Sequence, residues 1–267
     1  MAYAHGAFTP AIMAVTLLCA LLLQILANVV NDYGDFLKGA DTKERLGPPR
    51  AMQMGWITDR VMKQGIAVIL ISIVLLGLLL IFRGGVPILV IGILSIALCL
   101  WYTLGKKPLA YRGFSELVIL LFFGPLPLMG TYYLQALSLT PALLSASVAP
   151  AFLSTALIMT NNLRDMKEDH KNNKRTMAVR LGAPFSRIAI VSLIAGALFS
   201  PLLLIVFYAY PWWLMAIGLS LMPALRQLPI IIMEPISARF NIMLGGIGQS
   251  LYILSILFGA GLIYGAP

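Results

Sequence analysis

A short polar stretch near the amino end of the sequence carries amide and carboxylate side chains at helical spacing. Asn28, Asp32 and Asp35 lie at positions i, i+4 and i+7, and they share one face if the preceding apolar run stays helical. Asn31 and Asp41 lie in the same stretch, and we expect both, like Asn28, to bind substrate. We name residues 28–41 the first acidic stretch, and we expect it to offer several oxygen ligands at the end of an apolar run.

Residues 161–169 repeat this arrangement, and we name them the second acidic stretch. Asn161, Asp165 and Asp169 lie at positions i, i+4 and i+8, again on one helix face, and Asn162 lies beside the first of them. This stretch also follows directly on an apolar run. The same set of residue types therefore occurs twice, each time where an apolar run ends.

Carboxylates that share a helix face repel one another, and burial next to hydrocarbon adds to the cost. A divalent cation removes this repulsion. Mg²⁺ prefers oxygen ligands and commonly binds through one or two carboxylates together with substrate phosphates. Two facing stretches would hold a diphosphate through bridging Mg²⁺, with the asparagines as neutral ligands or hydrogen-bond donors. The predicted catalytic residues and metal ligands are Asp32, Asp35, Asp165 and Asp169. The alternative is that the acids pair with nearby cations on a solvated surface.

Cationic side chains accompany both acidic stretches. Arg50 follows the first stretch, and Lys174 and Arg175 follow the second. Arginine binds phosphate in a bidentate manner, whereas lysine acts as a point charge. We expect these three side chains to contact the diphosphate.

The elements that must position these residues are membrane-spanning helices. Hydrophobic residues make up 60% of the 267 residues and charged residues only 11%, too little polar surface for a soluble domain of this length. The apolar residues form runs long enough to cross about 30 Å of hydrocarbon. We predict an all-α transmembrane bundle, a single domain over residues 1–267, with eight spans at 8–30, 63–82, 86–104, 114–135, 142–161, 186–208, 211–228 and 241–264.

The basic residues are confined to alternate connections between these spans. The net charge is +9, and of 19 Lys and Arg only Arg83 lies outside residues 31–63, 104–113, 161–187 and 226–240. The positive-inside rule assigns these connections to the cytoplasm and both termini to the other side. The basic excess is thus explained by orientation and by anionic lipid headgroups, and we expect no nucleic-acid partner.

With these motifs the sequence resembles the UbiA-type intramembrane prenyltransferases. The first acidic stretch resembles the family's Asn-Asp-x-x-Asp motif with its following Asp, and the second resembles the paired Asp-x-x-x-Asp motif. Longer strings resemble the branch that prenylates 1,4-dihydroxy-2-naphthoate in menaquinone synthesis. They are Asn31-Asp32-Tyr33-Gly34-Asp35, Gly47-Pro48-Pro49-Arg50, Pro108-Leu109-Ala110-Tyr111, Phe122-Phe123-Gly124-Pro125, Gly130-Thr131-Tyr132-Tyr133, Asn161-Asn162-Leu163-Arg164-Asp165 and Lys174-Arg175-Thr176. The last third of the chain matches only in hydropathy.

Two departures from the family pattern bear on the fold. The resemblance implies nine spans with a cytoplasmic amino terminus, and here the first span is absent, which would place Met1 on the outer side. Asn173 stands where the family usually has Gly. Because Asn tolerates the left-handed backbone conformation better than most residues, we expect the turn before Lys174 to persist.

The resemblance implies a Mg²⁺-dependent enzyme of the bacterial inner membrane whose active site faces the cytoplasm. It would transfer a polyprenyl group from polyprenyl diphosphate to 1,4-dihydroxy-2-naphthoate, with loss of CO₂ and diphosphate, giving demethylmenaquinone. The long isoprenoid tail would lie among the helices, next to membrane lipid.

The aromatic acceptor needs its own contacts. Its carboxylate requires a cation, and we expect Lys106 and Lys107 to supply it, while Tyr102 and Tyr111 are placed to line the acceptor pocket. Glu116 is positioned to orient a ring hydroxyl, but its i, i+4 spacing from Arg112 favours a salt bridge instead.

Two other functions remain open from the sequence. The diphosphate motifs are shared across the superfamily, so the acceptor could be 4-hydroxybenzoate or another phenol. Polar breaks in helices also mark the ion sites of secondary transporters, although those sites usually lie near the bilayer midplane. Here every acid lies in or beside the connections predicted to be cytoplasmic.

Overall fold

The apolar runs form helices, and the all-α prediction is confirmed. The computed structural model describes residues 1–39, 46 and 49–264; Asp41, predicted to bind substrate, lies outside them. The α-helices of the described residues are α1 (Pro10–Leu37), α2 (Asp59–Thr103), α3 (Ser115–Phe122), α4 (Pro125–Ala136), α5 (Ala142–Arg164), α6 (Met166–Lys171), α7 (Met177–Phe199), α8 (Pro201–Tyr208), α9 (Met222–Arg226), α10 (Leu228–Met233) and α11 (Phe240–Tyr264). Two 3₁₀-helices cover Leu109–Arg112 and Trp212–Leu221.

Within this part of the chain, six helical segments are long and apolar enough to cross a membrane, counting α3 and α4 as one segment. Helix α2 covers two predicted spans because its 45 residues bend at Gly85, whose φ of 64° and ψ of −150° are not helical. The bend is held by Arg83, which donates hydrogen bonds to the carbonyls of Leu134 and Gln135 at the end of α4. Arg83 thus caps the carboxyl-terminal end of α4.

The prediction of a continuous span over 211–228 was wrong. This segment is a ten-residue 3₁₀-helix followed by the short helix α9. Pro211 precedes the 3₁₀-helix, and Pro223 stands at the start of α9. Proline removes a backbone donor and restricts the preceding residue, which interrupts a regular α-helix.

Helix α5 lies at the centre of the bundle. In its most apolar stretch 61% of the residues are buried, against 33% or less in the other long helices. Small residues allow its neighbours to approach: a Cβ on Gly124 would lie 2.3 Å from Cβ of Ala151, and one on Gly196 would lie 2.6 Å from the Phe152 ring. The central position of α5 fixes where the second acidic stretch begins.

The four connections that carry most of the basic residues lie, as far as they are described, at one end of the bundle. We name it the acidic end after the two acidic stretches. Tyr111, in the connection after α2, contacts Asp35 of α1. Arg164 of α5 contacts Asn241 of α11. Both acidic stretches lie at this end.

Candidate active site

Residues 28–37 of the first acidic stretch form the last turns of α1, and Arg50 contacts both carboxylates of this part, Asp32 and Asp35. The Arg50 guanidinium lies 3.1 Å from Asp35 Oδ2 and 3.8 Å from Asp32 Oδ1. The Tyr111 hydroxyl donates a hydrogen bond to Asp35 Oδ1 at 3.2 Å. Asp35 is buried, with 6% of its surface exposed. The structure therefore brings Asp32, Asp35 and Arg50 together. Ion pairs between the acids and a nearby cation were the alternative to a metal site, and the roles of these residues toward Mg²⁺ and diphosphate stay predictions.

The two asparagines of this stretch serve local structure. Asn28 is exposed, and its amide donates a hydrogen bond to the Gln24 carbonyl one turn earlier. Asn31 accepts a hydrogen bond from the Thr103 hydroxyl at the end of α2. A Cβ on Gly34 would lie 2.7 Å from Cγ2 of Thr103, so glycine permits this close approach of α1 and α2.

Tyr111 links the two acidic stretches. Its ring lies 4.5 Å from Nζ of Lys38 and 5.8 Å from Nζ of Lys174, both within cation–π range. Lys174 also forms a salt bridge with Asp169 Oδ1 at 3.4 Å. A cation from each side of the site thus contacts one aromatic ring, whose hydroxyl binds Asp35.

A role for Lys38 in the site was not predicted from the sequence. Its ammonium donates to the Thr103 carbonyl in addition to contacting the Tyr111 ring. A signal was present in the sequence, because Lys38 stands three residues after Asp35, a spacing that places two side chains on the same helix face.

In the second acidic stretch the helix breaks at Asp165, where α5 ends and α6 follows. The break lets Arg164 form a bidentate pair with the adjacent carboxylate, with N···O distances of 2.7 and 2.6 Å. Arg164 also donates to the side-chain oxygens of Asn161 and Asn241. The Asp169 N–H still bonds to the Asp165 carbonyl at 2.9 Å, so the helical register of the two aspartates is maintained.

Among the described residues, Asp169 is a carboxyl with a strongly raised pKa. Its pKa is raised from an ordinary 3.8 to about 6, chiefly because it is buried; Lys174 opposes the shift, and the negative charges of Asp165 and Asp35 add to it. The pKa of Lys174 is raised as well: burial acts to lower it, but the charges of Asp169 and Asp35 outweigh this effect. Asp35, Asp169 and Lys174 are therefore electrostatically coupled across the two stretches.

The carboxylates fit a divalent cation shared with a phosphate ligand. Asp32 Oδ1 and Asp169 Oδ2 are both buried, and neither has a hydrogen-bond partner; one such oxygen comes from each acidic stretch. No group of three His, Cys, Asp or Glu side chains close enough to hold a metal occurs in the described part of the chain. This donor set matches Mg²⁺, which takes few protein carboxylates and completes its coordination with phosphate and water.

The turn after α6 positions Lys174 through its backbone. Asn173 adopts a positive φ of 55°, which confirms that asparagine supports the turn where glycine was expected. The Lys174 N–H bonds to the Asp169 carbonyl at 2.8 Å, and the Arg175 N–H bonds to the Tyr111 carbonyl at 3.2 Å. The Arg175 side chain is exposed, so Arg175 contributes to this site with its backbone.

The predicted salt bridge between Arg112 and Glu116 was wrong. Glu116 is buried and accepts a hydrogen bond from the Asn162 amide at 2.9 Å, while Arg112 is exposed and stacks near the Phe114 ring. The αL residue Gly113 ends the 3₁₀-helix between them, so the two residues do not share one helix and the i, i+4 rule does not apply. Tyr102 lies half-buried beside Ser115 and interacts with Glu116.

An open cleft of about 660 Å³ borders the second acidic stretch, and its lining includes Arg164, Asp165, Lys167 and Lys171. Lys106 and Lys107 do not line this cleft. Both are exposed after the end of α2, and Lys106 forms no salt bridge with any described acid. The contact of Lys106 with the acceptor carboxylate therefore stays a prediction.

Comparison with known proteins identifies the family to which the chain belongs. Residues 1–234 match the model of the UbiA prenyltransferase family. The chain belongs to the UbiA prenyltransferase family. Its helices long enough to cross a membrane, together with this membership, identify it as a multi-pass membrane protein. Membership also favours the prenyltransferase prediction over a transporter.

Several bacterial UbiA proteins are similar to the chain over most of its length. A protein of Escherichia coli named 1,4-dihydroxy-2-naphthoate octaprenyltransferase is 38% identical over 247 residues, which cover 90% of this chain and 80% of that protein. A protein of the same name from Haemophilus influenzae is 35% identical over 97% of this chain and 86% of its own length. A third, from Mycobacterium tuberculosis, is 35% identical over 79% of this chain and 71% of its own.

Proposed function

We propose that the protein transfers a polyprenyl group from polyprenyl diphosphate to 1,4-dihydroxy-2-naphthoate in a Mg²⁺-dependent reaction. The names of its bacterial relatives support this acceptor. The observation that carries the proposal is the meeting of the two acidic stretches around Tyr111 and Lys174, with one buried carboxylate oxygen on each side that forms no hydrogen bond.

The cations of the site bind and orient the diphosphate. Arg50 is already held by Asp32 and Asp35, so its guanidinium is pre-organised for a bidentate contact with phosphate oxygens. Lys174 is fixed by Asp169 and by the Tyr111 ring, and Lys38 by the Thr103 carbonyl. Mg²⁺, held by Asp32 and Asp169, would supply positive charge to the leaving diphosphate.

The proposed reaction balances without release of a proton. The bond between the prenyl C1 and its diphosphate oxygen breaks, and the diphosphate leaves with the electron pair. The ring carbon that bears the carboxylate forms the new carbon–carbon bond, and the carboxylate then leaves as CO₂, which restores the aromatic ring. Arg50, Lys38 and Lys174 stabilise the charge that develops on the diphosphate, a contribution larger in the transition state than in the bound substrate.

We further propose the bacterial inner membrane as the location, with the acidic end toward the cytoplasm. In the sequence, 18 of the 19 Lys and Arg lie within residues 31–63, 104–113, 161–187 and 226–240, and Arg83 lies outside these ranges. This asymmetry is the pattern that the positive-inside rule describes.

A membrane assay tests the proposed reaction. Membranes containing the wild type, Asp32→Ala or Asp169→Ala are supplied with polyprenyl diphosphate and either 1,4-dihydroxy-2-naphthoate or 4-hydroxybenzoate, with Mg²⁺ or with EDTA. We expect prenylated naphthoquinol from the wild type with Mg²⁺ only, and at least about 100-fold less from either variant.

Asp59→Asn is the matched control, because Asp59 is an exposed carboxylate at the same end that pairs with Lys63. It should keep the wild-type rate. A preference for 4-hydroxybenzoate would show that the naphthoate is not the acceptor. Equal amounts of product from the wild type and both Ala variants would overturn the mechanism.

A further inference from the structure

Glu116 is a buried carboxylate that the diphosphate chemistry does not use. Only 5% of its surface is exposed. Its Oε1 accepts a hydrogen bond from the Asn162 amide at 2.9 Å, but its Oε2 is buried with no hydrogen-bond partner. A buried carboxylate oxygen without a partner is costly, so this oxygen requires an explanation.

The position of Glu116 relates it to the site. Asn162, its partner, is itself 3% exposed and stands three residues before Asp165 on α5. Tyr102 lies near Glu116 and also near Lys174 and Asp35. Glu116 therefore lies next to the residues proposed to bind the diphosphate, but it is not one of them.

We propose that Glu116 Oε2 accepts a hydrogen bond from a ring hydroxyl of the aromatic acceptor; this inference rests on the proposed function. The partner required is a neutral O–H donor, since a second carboxylate would repel Glu116 and an ammonium group does not occur on a phenolic acceptor. Asn162 holds Oε1 and so orients the carboxylate, which leaves Oε2 for the substrate.

The hydrogen bond would favour the transition state. When the ring attacks the prenyl carbon it becomes electron-poor, and its hydroxyl becomes a stronger donor. A hydrogen bond to an ionised acceptor strengthens accordingly, so Glu116 acts by differential binding. The hydroxyl keeps its proton, because departure of CO₂ supplies the electron pair that restores the ring.

Glu116→Gln tests this role with little change in shape. The variant keeps an oxygen for the Asn162 amide but replaces the free Oε2 by an NH₂ donor. We expect kcat for 1,4-dihydroxy-2-naphthoate to fall about 100-fold, while KM for polyprenyl diphosphate changes less than about twofold. Arg112→Gln is the control, because the spacing predicted a salt bridge between Arg112 and Glu116 that the structure does not form. This variant should leave both kcat and KM unchanged.

Acceptor analogues separate substrate recognition from a structural role. Wild type and Glu116→Gln are compared on 1,4-dihydroxy-2-naphthoate and on the two monohydroxy-2-naphthoates that lack one or the other hydroxyl. We expect the wild type to lose rate on the analogue without the contacted hydroxyl, and the variant to show almost no further loss on it.

The outcomes keep the two proposals apart. If the wild type prenylates the naphthoate and Glu116→Gln matches its kcat, the inference about Glu116 is overturned while the proposed function stands. A loss of the same size on all three acceptors, or a lowered midpoint of thermal unfolding in detergent, would assign Glu116 to structure and overturn the inference. Failure of the wild type itself on every aromatic acceptor would instead overturn the proposed function.

Discussion

At the scale of single residues, Tyr111 has two separable functions. Its hydroxyl binds Asp35, and its ring contacts the ammonium groups of Lys38 and Lys174. The phenol therefore connects a carboxylate of the first acidic stretch with the cation that Asp169 holds. Substitutions can remove the hydroxyl alone or the hydroxyl together with the ring.

We expect Tyr111→Phe to lower kcat about fivefold, because one hydrogen bond contributes about 1 kcal/mol. Tyr111→Ala should lower kcat about 100-fold or more, since both cation–π contacts are lost as well. Steady-state kinetics with varied polyprenyl diphosphate measures both effects. Equal losses in the two variants would show that the ring does not position the lysines.

The raised pKa of Asp169 predicts how the site responds to pH. In the metal-free protein this carboxyl holds its proton up to about pH 6, whereas the unfolded chain releases it near 3.8. Raising the pH through this window therefore weakens the metal-free fold, and it frees the carboxylate for a cation. We expect the Mg²⁺ concentration for half-maximal transfer to rise about tenfold per pH unit below 6 and to be constant above about 7.

Lys174→Met provides the check on that assignment. Removing the ammonium group disfavours the ionised carboxylate, which raises the pKa of Asp169 further. The pH at which the Mg²⁺ requirement begins to rise should therefore move upward in the variant. A break point that stays near pH 6 in Lys174→Met would assign the pH dependence to another group.

The site residues show what local pattern can predict and what it cannot. The spacing of Asp32 and Asp35 predicted two carboxylates on one helix face, and both contact Arg50, because their common face depends on helix geometry alone. The bond between Tyr111 and Asp35 joins residues far apart in sequence, and only the packing of α1 beside the 3₁₀-helix creates it. The pairing of Arg164 with Asp165 could not be predicted for another reason. Adjacent residues on an intact helix do not face each other, so this contact forms only because the helix breaks at Asp165.

At the scale of elements, bends were harder to predict than helices. Runs of apolar residues predicted most of the helices because length and composition alone favour them. Gly85 lies in a backbone region accessible almost only to glycine, and whether a glycine adopts that conformation depends on its tertiary contacts. Here the contacts come from Arg83 and the end of α4.

Gly85→Ala should therefore destabilise the protein by about 1–3 kcal/mol, the typical cost of forcing such a backbone conformation on a residue with a Cβ. Gly77→Ala is the matched control, since a Cβ there has open space within the same helix and alanine favours helix over glycine. Unfolding in mixed detergent micelles measures both variants. A loss at Gly77→Ala as large as that at Gly85→Ala would show that the bend is not the cause.

At the scale of the whole molecule, the proposed orientation can be tested by labelling. In a background where Cys19 and Cys99 are replaced by alanine, Lys106→Cys places an exposed thiol at the acidic end, and Leu139→Cys places one in the exposed connection after α4. We expect an impermeant thiol reagent to label Leu139→Cys in intact spheroplasts and to label Lys106→Cys only after permeabilisation. The reverse pattern would invert the orientation.

The 3₁₀ conformation of Trp212–Leu221 has a consequence for the reach of this part of the chain. A 3₁₀-helix rises about 2.0 Å per residue, so its ten residues and the five of α9 extend about 27 Å, whereas the same residues as α-helix would extend only about 22 Å. As α-helix they would fall well short of the roughly 30 Å of hydrocarbon that a membrane span must cross. The tighter coil therefore recovers about 5 Å of that deficit without any added residue.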